Sequence, residues 1–342
     1  MTEEFSGLHE EKVAAWIDGL DVGAHLPLTF RRVGLGQSNL TFLVEDVAGR
    51  RWVLRRPPLG HLLASAHDVA REYRILSALA DTDVQVPVVY GLCEDEDVTD
   101  VPLMLMSYVD GIVLDGPEDA ERLTGEQRRA VGLTMIDSLA RIHAVDLEAT
   151  GLVDLASHKP YAARQLKRWS GQWELSKMRE LPELDELAAR LQEAAPDPGE
   201  IVLVHGDCHP RNVILDPQTG AINAVLDWEL CSLGDPLADL GTTLAYWPQE
   251  GDPDTLRAAI TAAPGFVRRA DLVEEYARIT GRDVSSVPFW QALGIWKLAV
   301  IVEGVRRRQA EDPRNLSALG HFPEESVARL VDYAHGVLDG RY

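Results

Sequence analysis

The sequence predicts an α+β protein in two lobes, a small antiparallel sheet with one inserted helix and a larger, mainly helical part. Three features of the 342-residue chain favour this class. Short β-like runs dominate residues 28–108, helical periodicity dominates from Gly111 onward, and a small island of β-like runs interrupts the helices at residues 201–226. We therefore assign residues 1–108 to the N-lobe and residues 109–342 to the C-lobe.

The predicted N-lobe is an antiparallel meander that carries one helix. Residues 8–20 have helical periodicity and form a lead-in helix. A capping-box pattern that begins at Ser65 predicts a second helix, whose apolar stripe runs from Val69 to Leu79. The five predicted strands cover residues 28–33, 40–45, 51–56, 87–92 and 101–108.

The predicted C-lobe surrounds the β island with helices. The island contains β-like runs at residues 201–204, 213–215 and 221–226, and a turn of Asp, Pro, Thr and Gly joins the last two runs. The predicted helices cover residues 124–142, 161–179, 184–195, 236–247, 271–279, 289–308 and 324–338.

The composition excludes several classes of partner. Lysine and arginine total 33 against 55 aspartates and glutamates, so the formal net charge is −22. An acidic surface repels the phosphates of nucleic acids and of anionic lipids, so we expect neither a nucleic acid nor a membrane as a partner. No apolar run approaches the ~20 residues of a membrane span, and the acidic start of the chain does not resemble a signal peptide. We expect a cytoplasmic protein.

The densest polar motif lies in the β island, where His-Gly-Asp-Cys-His-Pro-Arg-Asn spans residues 205–212 and Leu-Asp-Trp-Glu follows at 226–229. Phosphoryl transfer needs a carboxylate that orients the attacking hydroxyl and hard oxygen ligands for Mg²⁺. An Asp, four residues, an Asn and then an Asp after a short hairpin is the spacing of the kinase catalytic loop. We therefore predict Asp207 as the catalytic residue, with Asn212 and Asp227 as the metal ligands.

These two motifs together resemble the aminoglycoside phosphotransferase family, the small-molecule branch of the protein-kinase-like fold that also includes choline kinases. The resemblance covers nearly the whole chain. It implies a protein-kinase-like fold and an enzyme that uses ATP and Mg²⁺ to phosphorylate a hydroxyl of a small molecule. It also implies that Asp239 braces the catalytic loop through backbone amides.

The resemblance extends to the phosphate side of a nucleotide site. The turn at residues 34–39 contains Gly, Ser and Asn, and the corresponding family loop covers the ATP phosphates, which suggests Ser38 and Asn39 for that role. Arg55 stands where kinases place a lysine on the third strand. Glu72 lies on or beside the apolar stripe of its helix, so we predict that it pairs with Arg55, whereas Arg56 points to the other strand face and is the alternative cation.

Residues 104–111 resemble the segment of kinases that receives adenine through its backbone. This likeness suggests Met106 and Tyr108 as nucleotide-binding residues. The alternative is a plain buried edge strand. The pattern does not distinguish ATP from GTP and does not indicate an oligomeric state.

A further resemblance concerns the phosphate acceptor. Residues 53–60 together with residues 65–67 and 71–74 are similar to the kinase-like domains that are fused to acyl-CoA dehydrogenases. The sequence therefore supports a hydroxyacyl or hydroxyacyl-CoA acceptor as well as it supports an aminoglycoside. Trp169 and Trp173 lie one helical turn apart and could line an acceptor site, with core packing as the alternative.

Two other functions stay open at this point. The change from lysine to Arg55 would fit a catalytically silent nucleotide-binding module. The alternation of His205, Asp207 and His209 around Cys208 could instead hold zinc in a hydrolase, although no second His or Cys group completes such a site.

Overall fold

The computed structural model describes residues 8–33, 39–58, 68–253, 260–311 and 322–341. The chain divides into two compact units, Met1–Thr82 with Val86–Asp110 and Asp83–Gln85 with Gly111–Tyr342. The main boundary therefore falls at Asp110, close to the predicted boundary at residue 108. The roles assigned to the two lobes stay predictions.

The described residues of the first unit form a five-stranded antiparallel sheet with two helices. In chain order the elements are α1 (Glu10–Gly19), β1 (Leu28–Val33), β2 (Leu40–Asp46), β3 (Arg51–Arg56), α2 (Val69–Leu79), β4 (Val89–Cys93) and β5 (Leu103–Ser107). The strand order is β1-β2-β3-β5-β4, so β5 is an interior strand rather than an edge. The helix α2 begins after Asp68, whose side chain accepts a hydrogen bond from Arg71 N at 2.9 Å, whereas the predicted cap Ser65 lies outside the described residues.

Successive side chains of β3 point to opposite faces of the sheet, and the two faces have different neighbours. Trp52 and Leu54 are buried in the apolar cluster that packs between the sheet and α1. Arg56 lies on this same face and is only 1% exposed. Arg55 lies on the opposite face, because successive side chains of a strand point to opposite sides of the sheet.

The second unit is mainly helical. In chain order its elements are α3 (Pro117–Glu121), α4 (Gly125–His143), α5 (Tyr161–Ser176), α6 (Pro182–Glu193), β6 (Val202–Val204), β7 (Val213–Leu215), β8 (Ile222–Val225), β9 (Ser232–Gly234), α7 (Pro236–Ala245), α8 (Arg269–Thr280), α9 (Val287–Glu311) and α10 (Glu325–Leu338). Its described residues contain two small two-stranded sheets, β6 with β9 and β7 with β8. One short 3₁₀ helix lies at the end of the β6–β7 loop, and another follows β8. The sequence did not predict α3 and β9.

The helices α7 and α9 form the packed centre of the second unit. Gly241 on α7 faces the backbone of Trp290 on α9 so closely that a Cβ atom there would overlap it. This contact brings together the two helices that carry Asp239 and Lys297. No helix in the described parts of the chain combines the length and the apolar character that a bilayer crossing requires.

Candidate active site

The loop between β6 and β7 carries Asp207. Gly206 precedes it with a φ of +85°, and a Cβ atom at this position would lie 2.7 Å from the Leu230 carbonyl oxygen. Only glycine combines this left-handed backbone with such a close approach at no steric cost. The Gly of the His-Gly-Asp motif therefore allows the loop to turn against the 3₁₀ segment that follows β8.

Asp239 holds this loop from α7. Its Oδ2 accepts a hydrogen bond from His205 N at 2.5 Å, and its Oδ1 accepts one from Gly206 N at 2.7 Å. His143 Nε2 lies 3.3 Å from Oδ2, and the other ring nitrogen of His143 lies 2.8 Å from the Tyr276 hydroxyl. Burial raises the pKa of Asp239, but the hydrogen bond and charge of His143 and the Gly206 N–H lower it below its usual value. A buried carboxylate thus fixes the backbone directly before Asp207, as the family resemblance implied.

Asp207 is held by two side chains of its own loop. Asn212 Nδ2 donates to the Asp207 carboxylate at 3.1 Å and to the Asp207 carbonyl at 2.9 Å. His209 Nε2 lies 3.4 Å from Asp207 Oδ2, while its Nδ1 accepts a hydrogen bond from Arg211 N, so the ring proton sits on the nitrogen that faces Asp207. The carboxylate therefore has a defined orientation.

The charges around Asp207 keep it ionised. Burial raises the pKa of Asp207, but the charge and hydrogen bond of His209 and the charges of Lys297 and His205 lower it to about 2. An ionised carboxylate accepts hydrogen bonds, and one with so low a pKa is a weak base. In this environment Asp207 is better suited to orienting a hydroxyl through a hydrogen bond than to accepting its proton.

Asp227 lies close to this loop. It follows β8 in the left-handed conformation, with φ 65° and ψ 63°. Its neighbour Leu226 donates its N–H to the Asn212 carbonyl at 2.8 Å, and His205 Nε2 donates to the Leu226 carbonyl at 2.9 Å. The two predicted metal ligands therefore stand on adjacent, hydrogen-bonded backbone segments.

The donor set at these positions fits Mg²⁺. The amide nitrogen of Asn212 is used by Asp207, which leaves its carbonyl oxygen as the outward acceptor. A carboxylate and an amide oxygen are hard ligands of the kind that Mg²⁺ takes beside waters and substrate phosphates. The metal roles of Asn212 and Asp227 stay predictions.

The zinc alternative finds no support in the side-chain directions. His205 points to the Leu226 carbonyl and packs edge-on against Trp228, whereas His209 points to Asp207. Cys208 is buried with its sulfur 3.8 Å from that of Met135. Across the described ranges of the chain, no group of three His, Cys, Asp or Glu side chains is arranged to hold a metal.

The predicted ion pair of the first unit is formed. Arg55 Nε lies 2.9 Å from Glu72 Oε2, with 2% of the Glu72 side chain and 11% of the Arg55 side chain exposed. The Asn39 amide, oriented with its oxygen toward the guanidinium, accepts from Arg55 Nε and Nη2 at 3.3 Å. Ser38 lies outside the described residues. Arg55, Glu72 and Asn39 thus form one polar cluster on a single sheet face, and its role with a nucleotide stays a prediction.

Arg56 is removed from this cluster. Its Nη2 lies 3.4 Å from Asp100, and its Nε donates to the Pro57 carbonyl at 3.3 Å. Met106 is buried in β5, between Val53 on β3 and Val89 on β4. Tyr108 follows the strand with its ring 4.0 Å from the Arg51 guanidinium carbon. Contacts of Met106 and Tyr108 with adenine stay predictions.

Sequence reasoning missed His209 and Lys297, two residues whose charges act on Asp207. His209 was considered only as a metal ligand, although its position two residues after Asp207 could have suggested a direct contact. Lys297 was not singled out at all. A single lysine inside the apolar stretch of α9, between Trp296 and Leu298, was the available signal.

Comparison with known proteins identifies the family and the fold of the chain. The model of the phosphotransferase enzyme family matches residues 29–279. The mouse protein "Acyl-CoA dehydrogenase family member 10" is 35% identical over 314 residues, which cover 87% of this chain but only 28% of that protein. The chain therefore spans little more than a quarter of the length of this curated relative.

Solved structures show the same fold. A candidate aminoglycoside phosphotransferase from Ralstonia eutropha aligns with a TM-score of 0.76 and 30% identity, covering 95% of this chain and 98% of that one. The ADP-bound aminoglycoside phosphotransferase APH(2'')-Ib aligns with a TM-score of 0.57 and 15% identity, covering 96% and 99%. The α+β, protein-kinase-like fold predicted from the sequence is confirmed. The chain belongs to the phosphotransferase enzyme family.

Proposed function

We propose that the protein is an ATP- and Mg²⁺-dependent phosphotransferase that moves the γ-phosphate to a hydroxyl of a small molecule. The observation that carries this proposal is the fixed carboxylate of Asp207, held by Asn212 and His209 in a loop that Asp239 anchors. Direct transfer needs no phosphoenzyme, because positioning and electrostatics supply most of the catalysis of phosphoryl transfer.

The role of Asp207 follows from its environment. With a pKa of about 2, it is ionised at neutral pH and accepts a hydrogen bond from the acceptor hydroxyl. Asn212 and His209 keep it from rotating away. The hydroxyl oxygen is thereby aimed for an in-line attack, which is the orientation that this class of reaction demands.

The metal and the nucleotide would be held by separate clusters of the chain. Asn212 and Asp227 would hold Mg²⁺, which when bound offsets negative charge on the phosphates. Arg55, kept in place by Glu72 and Asn39, would bind the α- and β-phosphates. The ADP complex of a solved member of the fold supports a nucleotide donor.

Two acceptor classes follow from the relatives. The Ralstonia eutropha neighbour points to an aminoglycoside, and the acyl-CoA dehydrogenase relative points to a hydroxyacyl or hydroxyacyl-CoA acceptor. In both cases the partner is a small-molecule alcohol. The net charge of −22 disfavours a nucleic acid or an anionic membrane as a partner.

The proposal is tested by an ATP-consumption screen over aminoglycosides, hydroxy acids, hydroxyacyl-CoAs, choline and sugars, with and without Mg²⁺. We expect at least one alcohol to stimulate ATP consumption only with Mg²⁺. Asp207→Asn should lower that turnover by about 10² or more while nucleotide binding persists. The matched control is Asp216→Asn, which alters an aspartate of the β7–β8 turn and should keep wild-type turnover.

Two results would point elsewhere. Nucleotide binding without stimulated turnover for any alcohol would favour the silent binding module. Equal turnover by wild type and Asp207→Asn would remove Asp207 from the reaction.

A further inference from the structure

Lys297 occupies an unusual position on α9. Both of its helix neighbours, Trp296 and Leu298, are buried, and Lys297 itself is half-buried. Its ammonium lies 5.5 Å from the centroid of the Trp169 ring on α5. This separation is within the range of a cation–π interaction, so the side chain has a preferred direction.

The charge of Lys297 is not matched by a contact carboxylate. Within the described residues, Lys297 forms no ion pair with an Asp or Glu, although the charges of Asp207 and Asp239 act on it from a greater distance. The oxygens of Asp239 already accept from His205 N and Gly206 N, and Asp207 is engaged by Asn212 and His209. Burial lowers the pKa of Lys297, and the two aspartates oppose that effect. Lys297 is therefore a half-buried cation that interacts electrostatically with the catalytic carboxylate, has no contact carboxylate in the described part of the chain, and can pair with a further anion.

The Trp169 ring that contacts Lys297 is held in place and has a second cation beside it. Trp169 is half-buried, and its Nε1 donates to Gln165 Oε1 at 3.1 Å, which fixes the ring. The guanidinium carbon of Arg168 lies 5.8 Å from the same ring, so two cations share one aromatic surface. Trp173, one turn further on, is 2% exposed and donates to Asp185 at 3.1 Å, as a core residue does. The two tryptophans therefore have different environments: Trp173 packs in the core, and Trp169 lies against Lys297 and Arg168.

We propose that Lys297, seated on Trp169, binds an anionic oxygen group of the phosphate acceptor and so makes this enzyme selective for hydroxylated oxyacids or their phosphate-bearing esters. This inference rests on the proposed phosphotransferase function. A carboxylate or phosphate beside Lys297 forms an ion pair with it, whereas a polycationic aminoglycoside is repelled by the positive charges of Lys297 and Arg168. Lys297 is therefore a specificity-determining residue, and Asp207 remains the group that orients the hydroxyl.

The kinetic test compares acceptors with and without an anionic group. The pairs are a hydroxycarboxylate with its methyl ester, and a hydroxyacyl-CoA with the corresponding hydroxyacyl-pantetheine, which lacks the phosphates of CoA together with its adenosine. The variants are Lys297→Met, Lys297→Arg and, as the control, Lys167→Met, which alters an exposed lysine on α5. We expect wild type to prefer the charged member by about tenfold or more in kcat/KM, a preference that corresponds to one charge contact.

Lys297→Met should raise KM for the charged member and leave kcat and the uncharged member nearly unchanged. Lys297→Arg should restore most of the preference, and Lys167→Met should keep it. A preference in the first pair that Lys297→Met removes identifies a carboxylate as the anion, and one in the second pair that Lys297→Met removes assigns the anion to the phosphate-bearing nucleotide part of CoA. An equal loss for charged and uncharged acceptors in Lys297→Met, or better use of an aminoglycoside than of any oxyacid, would overturn the inference.

A binding measurement separates this inference from the proposed function. Calorimetry with carboxylates that lack the hydroxyl, each compared with its amide, needs no turnover. Carboxylate binding that Lys297→Met abolishes would support the site even if no ATP were consumed. Equal binding of carboxylate and amide would reject the site while phosphotransferase activity could still stand.

Discussion

The substitution Asp239→Asn probes the anchor of the catalytic loop. The Asp239 side chain is 1% exposed and accepts hydrogen bonds from two backbone N–H groups, at 2.5 Å and 2.7 Å. Asparagine presents an NH₂ group to one of these donors, so one charge-assisted bond worth about 1.5–3 kcal/mol is lost. The buried N–H left without an acceptor costs about 1–3 kcal/mol more. Together the two costs predict a loss of about 2.5–6 kcal/mol in the free energy of unfolding.

Urea denaturation followed by circular dichroism measures this loss, and steady-state turnover measures its effect on Asp207. The control is Asp216→Asn, because Asp216 also accepts two backbone N–H bonds, both at 2.8 Å, but in a solvent-exposed turn. The control should unfold near the wild-type midpoint. Equal midpoints for Asp239→Asn and its control would refute the reasoning, and so would wild-type turnover of Asp239→Asn.

Three further predictions follow from the charged contacts. Arg55→Lys should keep substantial activity, because lysine can still contact Glu72 and a phosphate, whereas Arg55→Ala should raise KM for ATP. An active Arg55→Ala variant together with an inactive, folded Arg56→Ala variant would show that the phosphate-binding arginine was assigned to the wrong face of the strand. Asp227→Ala should abolish Mg²⁺-dependent nucleotide binding in calorimetry, and unchanged Mg²⁺ dependence would place the metal elsewhere. Burial raises the pKa of Asp46, but the N–H groups of Arg50, His25 and Ala48 and the Arg50 side chain lower it to about 2. Ionised Asp46 therefore stabilises the folded protein fully above pH ~4, and this stabilisation is lost as the pH falls toward 2. Asp46→Asn should therefore flatten the acid limb of the stability curve, and an unchanged acid limb would contradict the assignment.

Several features of the site could be predicted because they depend on local periodicity. The two-residue repeat of a strand separates Arg55 from Arg56, and the structure places them on opposite faces. The helical repeat puts Glu72 beside an apolar stripe, where a carboxylate needs a partner, and Arg55 is that partner. The spacing from Asp207 to Asn212 places both residues in one short loop, and the structure joins them by a hydrogen bond.

Other features depend on tertiary packing that no local pattern carries. Lys297 meets Trp169 only because α5 packs against α9, and His143 meets Tyr276 only because α4 packs against α8. The strand β9 has three residues and forms by pairing with β6, so periodicity could not reveal it. Asp68 caps the described start of α2, three residues after the predicted cap Ser65, which lies outside the described residues.

The central claim is that Asp207 directs transfer of the γ-phosphate to a hydroxyl. It is tested most directly with ATP carrying oxygen-18 on its γ-phosphate, an acceptor from the screen, and mass spectrometry of the product. We predict a phosphorylated acceptor that carries the three labelled non-bridging oxygens and keeps its own unlabelled bridging oxygen, formed by wild type and at least about 10²-fold more slowly by Asp207→Asn. Label found only in inorganic phosphate, or equal labelling of the acceptor by both proteins, would contradict the account.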